Sequence, residues 1–247
     1  MPQHINSASR LKAILLEAKH SNAPHCFQAW AHALGVPTEQ NYLTAIAVMQ
    51  RLIWLDGEVT AVREGMQRAA FSEQLYEPAL AQVQNAIQPL GLGSAWPPLA
   101  KAHLTSEVLT SLGFCAEILP DEEAAISEDD LVAIRTTMAE LEVLVQTTAI
   151  SPRLRAIIQH HVDLIHEALD KYPVMGVIAL RDAAWTAAGE LLHAKNDPDV
   201  GGDDFSDRPE VAKLDSLWSK VNTVVDGASK VQSLFELGKT VVELIGK

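Results

Sequence analysis

The sequence has little of what several classes of protein require. It contains two cysteines, Cys26 and Cys115, which are too few for the disulfide framework of a small secreted protein. The first residues hold no apolar run long enough for a signal peptide, and the longest uncharged stretch, 78–100, is broken by proline, glycine and glutamine. We therefore expect a cytoplasmic protein without a transmembrane helix.

Basic residues are also scarce. The chain carries 19 lysines and arginines against 32 aspartates and glutamates, a formal net charge of -13. No cluster of basic side chains stands out locally against this balance. An acidic surface repels phosphate groups, so we expect no nucleic acid partner.

Strand patterns are missing as well, because no run of β-branched residues alternates strictly with polar ones. Apolar residues recur instead at steps of three and four, between proline and glycine breaks. With 48% hydrophobic residues, 247 residues can bury a substantial core. The sequence predicts an all-α fold, an irregular multi-helix bundle of about eight helices over residues 1–194.

Helix boundaries in the first half follow from a few residues. Gly35 is expected to end the second helix, and Thr38 to cap a long helix that reaches Ala69. Residues 88–98, rich in proline and glycine, are expected to form a loop.

The second half has clearer signals. Ser127 and Ser151 have the spacing of helix caps, and the break at 172–173 before a proline predicts the end of the helix that Ser151 begins. On that helix, His161 falls on the inward face.

Charge and composition suggest three segments. Residues 1–194 carry a net charge of -10, and residues 195–210, with five aspartates, carry -4. Residues 211–247 carry +1. We interpret these as a helical body, an acidic linker and a long C-terminal amphipathic helix.

The C-terminal segment has the most regular pattern in the sequence. Its apolar residues step by three and four as in a heptad seam, with a second apolar row beside the first. The residues predicted to bind a partner are Leu214, Leu217, Trp218, Val221, Val224, Val231, Phe235, Val242 and Ile245.

Three interpretations of this segment remain open. It can fold back over the body as a last helix, or its seam can pair with a protein partner or a second copy. Alternatively, the wide apolar face with its five lysines can lie in a membrane interface, which would make the protein peripheral to a membrane.

An enzymatic alternative depends on two Glu-x-x-His pairs, Glu17 with His20 and Glu190 with His193. Di-iron helical bundles use this pair on two of their helices, but they also need a further glutamate from each of two others. Nothing in the pattern singles out those two glutamates. A zinc hypothesis, from three histidines and Cys26 within 20–32, lacks the paired ligand spacing of structural zinc sites.

No nucleophile elbow, phosphate-binding loop or metalloprotease motif is present. The sequence therefore favours a non-enzymatic interaction or assembly protein with no assigned cofactor, acting through residues 211–247. A membrane-associating regulator and a metal-dependent helical enzyme are the alternatives.

Overall fold

A computed structural model describes residues 5–122, 126–195 and 208–226. Over these ranges the chain forms ten α-helices and two short 3₁₀ turns, Glu73–Leu75 and Pro89–Gly91, with no β-strand. The prediction of an all-α fold is confirmed. The helices are α1 (Ser7–His20), α2 (Cys26–Ala33), α3 (Tyr42–Arg68), α4 (Glu77–Ala86), α5 (Trp96–His103), α6 (Ser106–Ile118), α7 (Glu128–Thr147), α8 (Pro152–Met175), α9 (Val177–Lys195) and α10 (Pro209–Asp226).

Contacts within the chain divide it into two units. The first comprises residues 1–124 together with 173–176, and the second comprises 125–172 and 177–247. The division into a body (1–194), a linker (195–210) and a C-terminal helix (211–247) stays a prediction, and most of its linker, 196–207, lies outside the described residues.

The first unit is built around α1, which packs against α2, α3 and α6. Apolar side chains at helical spacing on these elements are removed from solvent, which supplies most of the stabilisation of such a unit. Trp30 of α2 meets Trp96 of α5 edge to face, with ring centroids 5.4 Å apart. Core side chains that are almost fully buried include Leu11, Leu15, Leu52, Leu55, Leu80 and Leu112.

Polar groups hold the start of α1 against the end of α6. The Asn6 side chain accepts a hydrogen bond from the Ser9 amide at 3.1 Å and so caps α1. Its amide nitrogen donates to the carbonyls of Ala116 and Leu119, at 2.9 and 3.1 Å. One buried asparagine thus satisfies the free backbone groups at two helix ends.

A buried ion pair lies nearby. The Arg10 guanidinium is 2.9 Å from a Glu58 oxygen and 2.7 Å from a Glu122 oxygen, and the Arg10 and Glu58 side chains are only 12% and 5% exposed. Burial raises the pKa of Glu58 in spite of the opposing charge of Arg10. The positive charge of Arg10 offsets the cost of removing the Glu58 and Glu122 carboxylates from water.

The second unit consists of α7, α8, α9 and α10 around one apolar core. Ser127 begins α7 by accepting from the Asp130 amide at 3.1 Å, as predicted. The Ser151 hydroxyl likewise accepts from the Leu154 amide at 3.2 Å at the start of α8. α10 packs against α7 and α9.

Three predicted boundaries were wrong. Asn41, rather than Thr38, caps α3, because its side chain accepts from the Thr44 amide at 3.0 Å and the Thr44 hydroxyl accepts in return from the Asn41 amide. α8 continues through Pro173 to Met175 and ends before Gly176, which has the left-handed φ of 66°.

The third error lies in 88–98, which contains more than a loop. A 3₁₀ turn begins at Pro89, and α5 begins at Trp96 with prolines in its first turn. Proline is tolerated there because the first helical amides have no partner within the helix.

Candidate functional site

An apolar groove lies on the surface of the first unit, and we call it the α3–α6 groove. Its volume is about 600 Å³, within the roughly 300–1,000 Å³ typical of ligand pockets. It lies between the end of α3, the turn at Glu73–Leu75 and α6. Its apolar walls include Met66, Phe71, Leu75, Tyr76, Phe114 and Ile118.

The end of α3 shapes one wall. The Phe71 amide donates to the Met66 carbonyl at 3.2 Å, and the Ala70 amide donates to the Gln67 carbonyl at 3.0 Å. This is the Schellman arrangement, which requires a left-handed residue just past the helix, and Ala70 has a φ of 60°. The motif characteristically brings the side chains at the Met66 and Phe71 positions together, and both line the groove.

A hydrogen bond ties the second wall to α6. The Ser111 hydroxyl donates to the Leu75 carbonyl at 3.0 Å, and this fixes the turn against the helix. Thr105 caps the start of α6, where its hydroxyl accepts from the Val108 amide at 3.4 Å. Both walls are therefore held by backbone-directed bonds and do not depend on apolar contact alone.

Large apolar side chains stand open to solvent around the groove. Phe114 is 66% exposed, Leu75 65% and Phe71 42%. Single exposed apolar residues are ordinary on a protein surface, but three around one concavity form the kind of patch that marks a binding surface.

Most of the polar side chains of the groove lie on α6. Ser106, Glu107 and Thr110 line that edge, and Glu107 is the only charged residue among the described groove residues. Hydrogen bonds from its own backbone amide and from Thr105 lower the pKa of Glu107, so this carboxylate is ionised at neutral pH. The groove thus combines an apolar floor with one negative charge.

Cys115 and Tyr76 are the other titratable side chains among the described groove residues. Burial raises the pKa of Cys115 to about 11, so its sulfur is a neutral thiol and a poor nucleophile at neutral pH. The Tyr76 hydroxyl is buried and makes no hydrogen bond to a described residue, and burial raises its pKa. Both side chains are therefore uncharged at neutral pH.

The structure places the predicted partner-binding residues in two groups. Leu214, Leu217, Trp218 and Val221 are buried in the core of the second unit, and Val224 is partly buried against it. The remaining four lie outside the described residues: Val231, Phe235, Val242 and Ile245. Over 209–226, then, the seam faces the unit's own core, the arrangement expected if the segment folds back.

His161 lies beside this seam. It is fully buried on α8, as expected, and its ring meets Trp218 edge to face at 5.9 Å. Burial, followed by the neighbouring His160, lowers the pKa of His161 to about 4. The ring is therefore neutral at physiological pH.

Among the described side chains, those of the metal hypotheses do not gather into a ligand set; the His193 side chain lies outside the described part of the structure. Glu17 pairs with His32 at 2.9 Å in the first unit, whereas Glu190 pairs with His160 at 3.1 Å in the second. Cys26 is buried, and burial raises the pKa of its thiol. Within the described ranges, no group of three or more histidine, cysteine, aspartate or glutamate side chains could hold a metal ion.

The groove does not follow from the sequence pattern. Apolar periodicity predicts the inward face of α6, but Phe114 falls off that face, and Phe71 and Leu75 lie in a short connection with no periodicity. The available signal was the presence of large apolar residues outside the helical pattern on two segments, α6 and the connection after α3.

Comparison of the chain with protein-family models, curated proteins and solved structures gives no match. In the part of the chain searched, no helix combines the length and apolar character needed to cross a bilayer.

Proposed function

We propose that the protein is a non-enzymatic helical interaction protein whose α3–α6 groove binds an amphipathic helix of a protein partner. The observation that carries this proposal is the exposure of Phe71, Leu75 and Phe114 around one apolar concavity. A helix that inserts residues spaced by three and four positions would cover these side chains, as in other helix-in-groove complexes.

The electrostatics of the groove narrow the partner further. Glu107 is ionised and stands on the polar edge, so a lysine or arginine beside the apolar anchors of the partner helix is favoured. An ion pair between Glu107 and this basic residue would lie at an exposed rim. It would therefore contribute more to the orientation and association rate of the partner than to its affinity.

The C-terminal segment 211–247 remains part of the proposal as a second interacting element. Its first half belongs to α10 and is engaged in the core of the second unit. Partner binding by this segment therefore falls to the sequence-predicted seam beyond 226, which includes Val231, Phe235, Val242 and Ile245.

Binding of designed peptides to the full chain tests the groove. The probes are fluorescent peptides with leucine and phenylalanine at helical spacing and flanking lysines, each compared with a scrambled peptide of the same composition. We expect the patterned peptides to bind and the scrambled ones to bind more weakly. Leu75→Glu and Phe114→Glu should each weaken binding at least about tenfold, since groove anchors dominate such interfaces.

Two matched variants control for surface charge. Ile53→Glu alters an aliphatic residue 63% exposed on α3, and Trp185→Glu alters an aromatic residue 67% exposed on α9. Neither lines the groove. If patterned and scrambled peptides bind alike, or if the control variants weaken binding as much as the groove variants, the proposed function is wrong.

A further inference from the structure

We infer that the occupant of the α3–α6 groove is the segment 227–247 of a second copy of this chain, so that the protein assembles with itself. This inference rests on the proposed function of the groove and names its partner. It brings together two separate features, an open apolar concavity and an apolar seam that continues beyond α10.

The segment 227–247 has the apolar pattern of a helix that could cover the exposed apolar side chains of the groove. Val231, Leu234, Phe235, Val242 and Ile245 recur at helical spacing in the sequence. The preceding part of the same seam is buried: Leu217 and Trp218 have no exposed surface in the second unit. Because the apolar seam is continuous and its first part packs against an apolar core, we expect its second part to pack against an apolar surface as well.

Size is also compatible. The segment has 21 residues and, as a helix, would extend about 31 Å at about 1.5 Å per residue. A helix of this length has about six turns, at about 3.6 residues per turn, so one face can present several large side chains. A volume of about 600 Å³ is then available for the large side chains, such as Leu234 and Phe235, that one helix face presents.

Charge favours the same pairing. Residues 1–124 carry seven basic and twelve acidic side chains, a net charge of -5, whereas 227–247 carry three lysines and two glutamates, a net charge of +1. The charged groove residue is Glu107, and Lys230 and Lys239 flank the apolar anchors of the segment. Opposite charges attract the groove of one copy to the segment of another. They also disfavour contact between two grooves or between two segments, whose charges have the same sign.

The contact joins two different surfaces, so it is heterologous. Two copies can satisfy it twice if each inserts its segment into the groove of the other, which closes a symmetric dimer. A dimer held in this way has two equivalent contacts, each formed by one groove and one segment from opposite copies. This arrangement makes a specific prediction for mixtures of variants.

Sedimentation velocity of full-length chains tests the inference. The wild type should form a dimer that dissociates on dilution. Leu75→Glu inactivates the groove and Phe235→Glu inactivates the segment, so each variant alone should be monomeric. An equimolar mixture of the two should regain dimers, because the intact groove of one variant receives the intact segment of the other. These mixed dimers have one intact contact of the two, so they should be weaker than wild-type dimers. Ile53→Glu should dimerise like the wild type.

Several results would overturn the inference. A wild type that is monomeric at every concentration excludes assembly through the groove and segment. So does a mixture of variants that stays monomeric even far above the concentration at which the wild type dimerises. Circular dichroism confirms that each variant is folded, and the mixture provides an internal check because recovery requires folded partners.

A peptide of residues 227–247 separates this inference from the proposed function. It should bind the full-length Phe235→Glu chain, whose groove is intact, and bind at least about tenfold more weakly when that chain also carries Leu75→Glu. If designed amphipathic peptides bind but the 227–247 peptide does not, the groove is a site for another partner and the inference fails alone. If no peptide binds, both proposals fail.

Discussion

The Phe71 amide donates a hydrogen bond to the Met66 carbonyl at 3.2 Å at the C-terminal end of α3. Both residues line the α3–α6 groove. The bond depends on a left-handed residue between them, which is Ala70 with a φ of 60°. The same bond pattern closes α2, where Val36 donates to Ala31 at 2.8 Å and the left-handed residue is Gly35. The groove is therefore built on a helix end that carries alanine where glycine is preferred.

This difference predicts that Ala70→Gly stabilises the protein. An alanine in the left-handed region strains the folded chain by roughly 1–2 kcal/mol, and glycine removes this strain. Glycine also gives the unfolded chain more conformational freedom, which offsets part of the gain. We expect the free energy of unfolding, measured in urea, to rise by about 0.5–1 kcal/mol. Gly35→Ala is the reciprocal control and should lower it. If both substitutions change the free energy of unfolding in the same direction, this explanation of the C-terminal end of α3 is wrong.

A second pair of substitutions tests the packing of α3 against the end of α6. A side chain added at Gly57 would meet nothing within 4 Å, so Gly57→Ala should stabilise the helix by about 1 kcal/mol. At Gly65, the added carbon would lie 2.7 Å from a methyl carbon of the buried Leu119. Gly65→Ala should therefore be at least about 1 kcal/mol less stable than Gly57→Ala in urea titrations. Similar stabilisation by both would show that Leu119 does not pack there.

The buried ion pair predicts an asymmetric response to mutation. Arg10→Met leaves the Glu58 carboxylate, 5% exposed, without its charge partner and should lower the free energy of unfolding by roughly 3–5 kcal/mol. Replacing Glu58 by methionine in the same chain should recover part of this loss. Arg68→Met is the control, because Arg68 is 73% exposed and lies 3.7 Å from Glu64. A loss no larger than that of the control would contradict the role of Arg10.

His161 predicts a pH dependence of stability. Its pKa is about 4 in the folded chain, against an ordinary value of 6.5, because burial disfavours the charged ring. The unfolded chain therefore binds the proton more readily between these two values. The stability contributed by the neutral ring is complete above pH 6.5 and should fall by up to about 1.4 kcal/mol per pH unit as the pH decreases towards 4.

Urea titrations between pH 8 and pH 5 measure this dependence. His161→Leu should flatten the decline, since a leucine does not titrate, whereas His166→Leu, at an exposed position beside Glu142, should retain it. The groups near the His161 ring are His160, Trp218 at 5.9 Å and a Glu190 oxygen at 3.9 Å. An unchanged decline in His161→Leu would assign the pH dependence to other groups.

Local signals in the sequence were sufficient for much of the fold. Ser127 and Ser151 begin helices and Gly35 ends one, because each acts through its own backbone geometry or a hydrogen bond to a neighbour three residues away. Prediction failed at 173, where the helix tolerates a proline in its last turn. It also failed at 96, where prolines open a helix.

The groove was beyond this kind of prediction for a physical reason. Met66, Leu75 and Phe114 belong to three segments, and only their packing in the first unit brings them around one concavity. By contrast, the inward position of His161 followed from helical periodicity alone. Periodicity tells which face of a helix is buried, but it does not tell where two helices and a turn leave a gap.

Site-specific photo-crosslinking tests the central claim most directly. A photoreactive phenylalanine analogue is placed at 114 in the full chain, with the same analogue at 185 as control, since the two native side chains are 66% and 67% exposed. Each is mixed with wild-type chain labelled with ¹⁵N, so that mass spectrometry separates intermolecular from intramolecular products. We predict that cross-links from position 114 fall within 227–247 of the labelled copy and that those from 185 do not. The absence of such products from 114, or equal yields from both positions, would contradict the account.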